Sequence, residues 1–484
     1  MKNKSLIIGA IVLSLVVLLA TGTYAYWTIT KSQDGANTLI GGCLNVDITE
    51  ETAGINLEKT WPISDFDGMQ LEGYTFTVTN YCDTPQDYRI DLDRLVDNEG
   101  RKEMSNEYLA TLLDYGVPVM YEELETGETT VEDVKEKRVL AYDTVAGKVG
   151  DEPGSNTHTL RLWIDEESPV SEQGSTFLSR VEINAGQGIE KYYTPEECFT
   201  FDESTGSITA YDVSCGGTDV VIPYNINNVA VTQIGNAAFK EKELTSVEFP
   251  RSVTTIGANA FHTNPTLEKI IFKDGLISMG ALSFFADGIA PIDCGVLSFI
   301  MLPNTLTTIG PQAFKNNSLE QIIVPDSVTG MLNATFYGNM IKEFKLGSGV
   351  DWGTAVSAFA LNEIEEVIVP DHVTQIQNSM FANNPIKTIK LGSSLTTIGT
   401  NTFSNNFFEY ISTYPNKNIY AGENYLTEVY IPANVTSIGM NAFETATSDV
   451  TITVENPASA MTLGSNWSGA ATVIFGEEPT TTTE

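Results

Sequence analysis

The stretch Val253-Thr254-Thr255-Ile256-Gly257-Ala258-Asn259-Ala260-Phe261 decides the fold. It recurs as Val231-Thr232-Gln233-Ile234-Gly235-Asn236-Ala237-Ala238-Phe239 and again over Leu306–Phe314, Leu395–Phe403 and Val435–Phe443. Degenerate copies end at Phe284, Phe336, Phe359 and Phe381. Most neighbouring phenylalanines stand 22 or 23 residues apart. A fixed period of this size marks small units that each bury too little alone and must stack.

The residues of one unit say how it stacks. Leu244-Thr245-Ser246-Val247-Glu248-Phe249 alternates like a strand, and Pro250 ends it because proline cannot donate to the next ladder position. Val253 and Ile256 begin a second short extended segment. Gly257 is expected in a turn conformation that side chains resist. The nine anchors Phe239, Phe261, Phe284, Phe314, Phe336, Phe359, Phe381, Phe403 and Phe443 are expected to plug the core between coils. Asn316-Asn317 and Asn383-Asn384 suit tight turns behind their anchors. The expected product is a solenoid, a curved rod over residues 231–476. Two intervals break the rhythm: Phe284 to Phe314, which carries Cys294, and Phe403 to Phe443. The second insertion, residues 404–425, holds Phe407, Phe408, Tyr410, Tyr414, Tyr420 and Tyr425. Insertions in solenoids leave from one face, often the binding face, so these aromatics are the candidate partner-binding residues.

Upstream, Lys2 and Lys4 precede an apolar run from Leu6 to Ala20 and a small-residue exit, the order of a secretory signal peptide over residues 1–25. Cleavage is expected between Ala25 and Tyr26. Residues 26–190 read as β-rich, with alternation at Leu44–Ile48, Tyr74–Thr79 and Leu160–Ile164. The spacing of Met104, Tyr108, Leu109 and Leu112 predicts a helix over Arg101–Leu113. The charged run 121–138 predicts an exposed excursion between strands. The chain is therefore expected to be mainly β, a jelly-roll-like β-sandwich followed by the solenoid. Residues 191–230 form a linker and opening cap, and residues 477–484 a Thr-rich tail.

Asp and Glu number 63 against 26 Lys and Arg, a net charge of -37, which repels nucleic acid and anionic membranes. No tight C-x-x-C pair suggests zinc among the five cysteines. In an exported protein, two disulfides are expected. Cys43 begins one predicted strand and Cys82 ends another, so antiparallel pairing would join them. A hairpin centred near Gly206 and Ser207 would place Cys198 directly opposite Cys215, within disulfide reach.

Two resemblances follow from the residues. Tyr24-Ala25-Tyr26-Trp27-Thr28, the run Gly35–Asp47, Tyr74–Asn80, Thr159–Asp165 and Arg180–Asn184 resemble the TasA/camelysin family of exported β-sandwich proteins. That resemblance implies cleavage just after Ala25 and surface fibres of a biofilm matrix. Residues 198–476, with the repeated Ile-Gly-x-x-Ala-Phe motif, resemble BspA-type leucine-rich repeat surface proteins. That resemblance implies adhesion to host or matrix proteins.

Catalysis and cofactors are not expected. The three histidines, His158, His262 and His372, form no His-Glu-x-x-His pair for zinc, and His158 stands alone before a strand. There is no Gly-x-Ser-x-Gly elbow and no phosphate loop. Asp91 with Asp93, and Asp165 with Glu166 and Glu167, read as solvated surface. The resulting expectation is a secreted or cell-surface protein of a Gram-positive-type bacterium that binds an extracellular protein or glycan through its repeats. The alternative is a matrix-fibre subunit that self-assembles through the sandwich.

Overall fold

The structure, a computed structural model, describes residues 49–50, 62–71, 73–96, 100, 102–114, 116–129, 134–169, 177, 179–185, 191–286, 295–404, 426–444 and 448–476. The chain divides into two units, Met1–Tyr192 and Tyr193–Glu484.

Among the described residues, the first unit holds nine strands: β1 (Thr49–Glu50), β2 (Tyr74–Asn80), β3 (Gln86–Leu95), β4 (Leu109–Leu113), β5 (Val119–Met120), β6 (Glu125–Thr126), β7 (Val134–Val145), β8 (Gly154–Ile164) and β9 (Ser179–Ala185). They form two antiparallel sheets, ordered β1-β2-β8-β4-β5 and β6-β7-β3-β9. Alternate residues of both sheets meet in one core, including Phe76, Val78, Ile90, Leu92, Leu160, Leu162 and Val181.

Three expectations are corrected here. The predicted helix over Arg101–Leu113 is a 3-10 turn at Asn106–Tyr108 followed by β4. Leu109, Ala110, Thr111 and Leu112 are all buried, and β4 is paired on both sides, with β5 and β8. A short strand covered on both faces loses its alternation, so its apolar run mimics a helix. The charged run 121–138 is not simply an exposed excursion. Tyr121 is buried, Arg138 donates to the carbonyls of Glu122 and Leu124 at 2.9 and 2.7 Å, and Val134–Arg138 opens the longest strand. Asp91 and Asp93 are not solvated. Both lie fully buried on the face of β3 opposite Ile90 and Leu92. Arg89 bonds Asp91 at 2.8 Å, Arg180 bonds Asp93 at 2.9 Å, and Lys137 sits 3.1 Å from Asp93 and against Glu182. Burial pushes the Asp93 carboxyl up, while Lys137 and Arg180 pull it back down.

The second unit opens with a hairpin of β10 (Phe199–Asp202) and β11 (Ser207–Tyr211). Its register differs from the expected one: Phe199 faces Tyr211 and Asp202 faces Ser207, with a bulge between Thr200 and Phe201. Gly206 closes the turn at φ +68°, where a Cβ would meet the Ala230 carbonyl oxygen at 2.8 Å. Cys198 therefore does not face Cys215 across the ladder. Its carbonyl accepts from Asp212 N at 2.9 Å. A single helical turn, Val213–Gly216, capped by the Asp212 side chain, carries Cys215 back to form a disulfide with Cys198, Cα to Cα 5.3 Å. The bond spans 17 residues, worth about 3 kcal/mol by chain entropy. Replacing both cysteines with serine should lower the melting temperature of the repeat unit under oxidising conditions. Identical melting curves would remove the clamp's role.

Beyond the cap, each coil contributes to parallel ladders. Val220, Val247 and Ile270 align in the first-strand ladder, and Ile234, Ile256, Met279, Ile309 and Met331 in the second. A third ladder runs through the turns: Phe239 N donates to Ala260 O, Phe261 N to Ser283 O and Phe314 N to Thr335 O. The nine anchors stack ring on ring, with centroids 4.8 Å apart at Phe239–Phe261 and at most 6.0 Å at Phe381–Phe403. Phe199 and Tyr211 close the first end of the stack, and Trp467 follows Phe443.

Gly257 is corrected in kind. It does not take the left-handed conformation. That falls two residues later, at Ala237, Asn259, Gln312, Asn401, Asn441 and their counterparts, with φ 55 to 59°. Gly257 is needed because a Cβ would meet Asn236 N at 2.7 Å and Gly235 C at 2.8 Å in the preceding coil. The asparagine pairs divide their work. Asn316 and Asn383 take positive φ, whereas Asn317 and Asn384 are buried and bridge coils.

Carboxylates cap the corners of several coils. Asp212 accepts from Ser214, Asp326 from Ser348 and Asp371 from Ser393, which holds each below its ordinary value of 3.8. A depressed folded value stabilises above the unfolded value and loses that contribution as pH falls through the folded one. Thermal melts of the repeat unit should therefore hold level at neutral pH and fall on acidification below about 4. A melting temperature insensitive to acid would show that these caps contribute nothing.

Candidate functional site

Several predicted site residues lie outside the described residues: the Ala25–Tyr26 junction, Cys43, Cys294, and Phe407, Phe408, Tyr410, Tyr414, Tyr420 and Tyr425. Cys82 is buried and disulfide-bonded. The nine phenylalanine anchors are buried core residues.

The position of the insertion is nonetheless fixed by its flanks. Residues 405–425 separate the Phe403 turn from the strand Glu428–Ile431, and residues 287–294 separate the Phe284 turn from Leu297. In the sequence, both intervals therefore fall between an anchor and a first strand.

The first strands offer an outward row that sequence reasoning missed. Ile368, on the strand Glu366–Ile368, pairs with Lys390. Tyr430 pairs with Thr453, and Thr453 with Ile474. Ile368, Tyr430 and Ile474 are 54%, 56% and 52% exposed. Strand alternation directs them outward because Val367, Val429 and Val473 take the inward positions. Around them lie exposed ion pairs, Lys387–Glu365 at 2.6 Å and Lys390–Glu366 at 2.8 Å. The Tyr430 hydroxyl donates to Glu455 at 3.0 Å, which raises its pKa. Exposed pairs of this kind add little stability, so the row's character is that of a surface, apolar side chains set among paired charges. The signal was present as apolar third residues in Glu366-Val367-Ile368 and Glu428-Val429-Tyr430.

A second constellation lies within the first unit. His158 does not stand alone before a strand. It lies inside β8, 1% exposed, between Phe76 and Tyr88. Its Nδ1 is 2.5 Å from Asp114 Oδ2, its Nε2 is 2.5 Å from the Tyr88 hydroxyl, and Asp143 Oδ2 lies 3.9 Å from Nε2. Asn156 donates to Tyr88 Oη at 2.9 Å. Asp114 Oδ1 accepts from Thr159 N at 2.9 Å. Asp114, Asp143 and His158 each offer an atom within 4.8 Å of the others, spacing that a metal ion can share. The sequence separates these residues, and only the meeting of the two sheets joins them.

Parallel short strands, a turn ladder and a continuous internal stack define the second unit as a leucine-rich repeat solenoid. Residues 232–293, 290–409 and 411–467 match the family described as BspA type leucine rich repeat region, in six copies. These residues are thus similar to a BspA-type leucine-rich repeat region. No curated protein matches the chain. Among solved structures, a leucine-rich repeat protein from Bacteroides ovatus is 21% identical, covering 58% of this chain and 69% of its own, with a TM-score of 0.44. The T. pallidum leucine rich repeat protein is 24% identical, covering 43% and 86%, with a TM-score of 0.32. A leucine rich cell surface protein from Faecalibacterium prausnitzii is 19% identical, covering 58% and 93%, with a TM-score of 0.21. Among the described residues, no helix is long and apolar enough to cross a membrane.

Proposed function

We propose that this protein is an exported surface adhesin or matrix protein whose repeat unit binds an extracellular protein or glycan. The observation that carries this reading is a pair of outward ladders, Ile368–Lys390 and Tyr430–Thr453–Ile474. They are partly apolar, exposed at Ile368, Tyr430 and Ile474, and carried by strands packed on one continuous core. Large apolar side chains fixed on a surface are the usual anchors of protein association. In the sequence, the aromatic insertion directly precedes the strand that carries Tyr430.

The test uses the exported chain against immobilised matrix glycoproteins, mucin and a glycan array. The double variant Ile368→Asp with Tyr430→Ala is expected to weaken the strongest signal at least tenfold, because two contact residues are lost. Deleting 405–425 should weaken it further while circular dichroism stays unchanged. Binding that survives both changes would move the site off this face.

The fibre reading keeps one supporting observation. Strand β9 is the edge of its sheet among the described residues, and an open edge can accept a strand from another chain. Together with the TasA/camelysin resemblance, this supports the reading of a jelly-roll-like sandwich that polymerises. Periodic filaments of secreted protein in negative stain would favour it, whereas isolated molecules would favour the adhesin.

A further inference from the structure

We propose that the first unit binds one divalent transition-metal ion of the zinc class between its two sheets, with His158 Nε2 and Asp143 as ligands and Asp114 as the carboxylate that holds the imidazole from behind. This does not depend on the adhesin reading.

The geometry sorts the donors. Two ligands of one tetrahedral ion, each ~2.0–2.1 Å from it, stand roughly 3.3 Å apart, and they cannot be more than about 4.2 Å apart at any angle. Asp114 Oδ2, at 2.5 Å from Nδ1, is too close to share an ion with that nitrogen. It is placed instead to accept the Nδ1 hydrogen. That contact fixes the tautomer with the Nε2 lone pair on the far side, facing the Tyr88 hydroxyl, the usual arrangement behind a metal-bound histidine. Asp143 Oδ2, at 3.9 Å from Nε2, falls within the ligand–ligand range.

The remaining residues show a built site. Tyr88 and Asp143 are direct cross-strand partners on β3 and β7, while His158 comes from β8 in the other sheet. Tyr88 Oη, positioned by Asn156, is likewise too close to Nε2 to share an ion with it, and instead holds the place on the Nε2 side that the ion would take. In the ion-free state the Tyr88 hydroxyl donates to Nε2; the ion would replace that hydrogen bond. Phe76 stacks on the imidazole at 5.3 Å and prevents it from turning away. The donor set also selects the ion. Imidazole with carboxylate suits zinc and its neighbours, whereas calcium takes six to eight oxygens. Such an ion would tie one sheet to the other, so its binding would appear as stability of the first unit.

The experiment uses the full exported chain, free of any histidine tag, stripped with chelator and titrated with zinc alone by calorimetry. One equivalent should bind, and zinc should raise the melting temperature of one unfolding transition. His158→Gln and Asp143→Asn should each weaken binding at least 100-fold. Asp114→Asn, which acts through His158, should weaken it roughly 10–100-fold. A chain with His262→Gln and His372→Gln should bind as the parent does. Should His158→Gln fail to fold, the Asp114→Asn and Asp143→Asn affinities decide. The proposal is overturned if the parent takes up no zinc, if all variants bind equally, which would place the ion on the acidic surface, or if calcium is held at these residues in preference to zinc.

Discussion

Phe314→Ala should destabilise the repeat unit by about 5 kcal/mol. The ring is fully buried, with Phe284 at 5.3 Å and Phe336 at 5.8 Å, nearly parallel on either side. Removing a buried phenylalanine side chain costs about 3–5 kcal/mol in transfer and cavity energy. Two lost aromatic pairs add roughly 0.5–1.5 kcal/mol each at most. The hole cannot close easily, because Phe314 N is bonded to Thr335 O at 3.0 Å and the main chain is held on both sides. In a stack where each coil touches only its neighbours, the break falls on two interfaces at once. Phe443→Ala should cost less, since its outer neighbour is Trp467, edge-on at 6.4 Å. Urea melts of both variants check this. A loss below about 1 kcal/mol at Phe314 would mean that the rings stack without bearing the core.

Asn384→Ala should cost about 4 kcal/mol although it deletes only a small polar group. Asn384 is fully buried. Its amide donates to the Phe359 and Phe381 carbonyls at 2.9 and 3.0 Å, and its oxygen accepts from Ile364 N at 3.0 Å. Alanine would strip the Phe381 carbonyl and Ile364 N–H of their side-chain partner inside the protein, at roughly 1–3 kcal/mol each, while the Phe359 carbonyl keeps its bond from Asn362 at 3.1 Å. Asn362 makes the same three bonds one coil earlier, and Asn339 two coils earlier. Asn384→Asp is the informative partner, because it keeps the acceptor and loses both donors. Thermal melts should rank the parent well above both variants. A variant melting with the parent would show that water replaces the side chain.

The repeat was legible because its information is local. Ile256, Phe261 and Pro250 each do the same thing in their own coil, so a 22-residue period reveals them without knowledge of any contact. The hairpin was legible only in outline. The bulge between Thr200 and Phe201 shifted the register, and the helical turn at Val213–Gly216 supplied the reach that direct opposition was expected to give. Gly257 was singled out correctly and explained wrongly, because its constraint comes from Gly235 and Asn236 of the neighbouring coil.

The first unit yielded less. The alternation at Tyr74–Asn80 and Gly154–Ile164 was readable, since each strand turns one face to the core. The identity of β4 was not, because Leu109–Leu112 is buried on both faces and carries no period of two.

The sequence by itself determined the coil: which residues point inward, where each strand stops and which ring fills the gap. These follow from alternation, proline and period, all of which act within about twenty residues. Only the tertiary structure decided which polar residues are buried. Asp93 meets Lys137 and Arg180 from two other strands, and His158 meets Asp114 from the end of β4 and Asp143 from β7. A charge can leave water only where its partners gather. That gathering depends on how separate strands pair in the sheets, which a pattern along one strand does not carry.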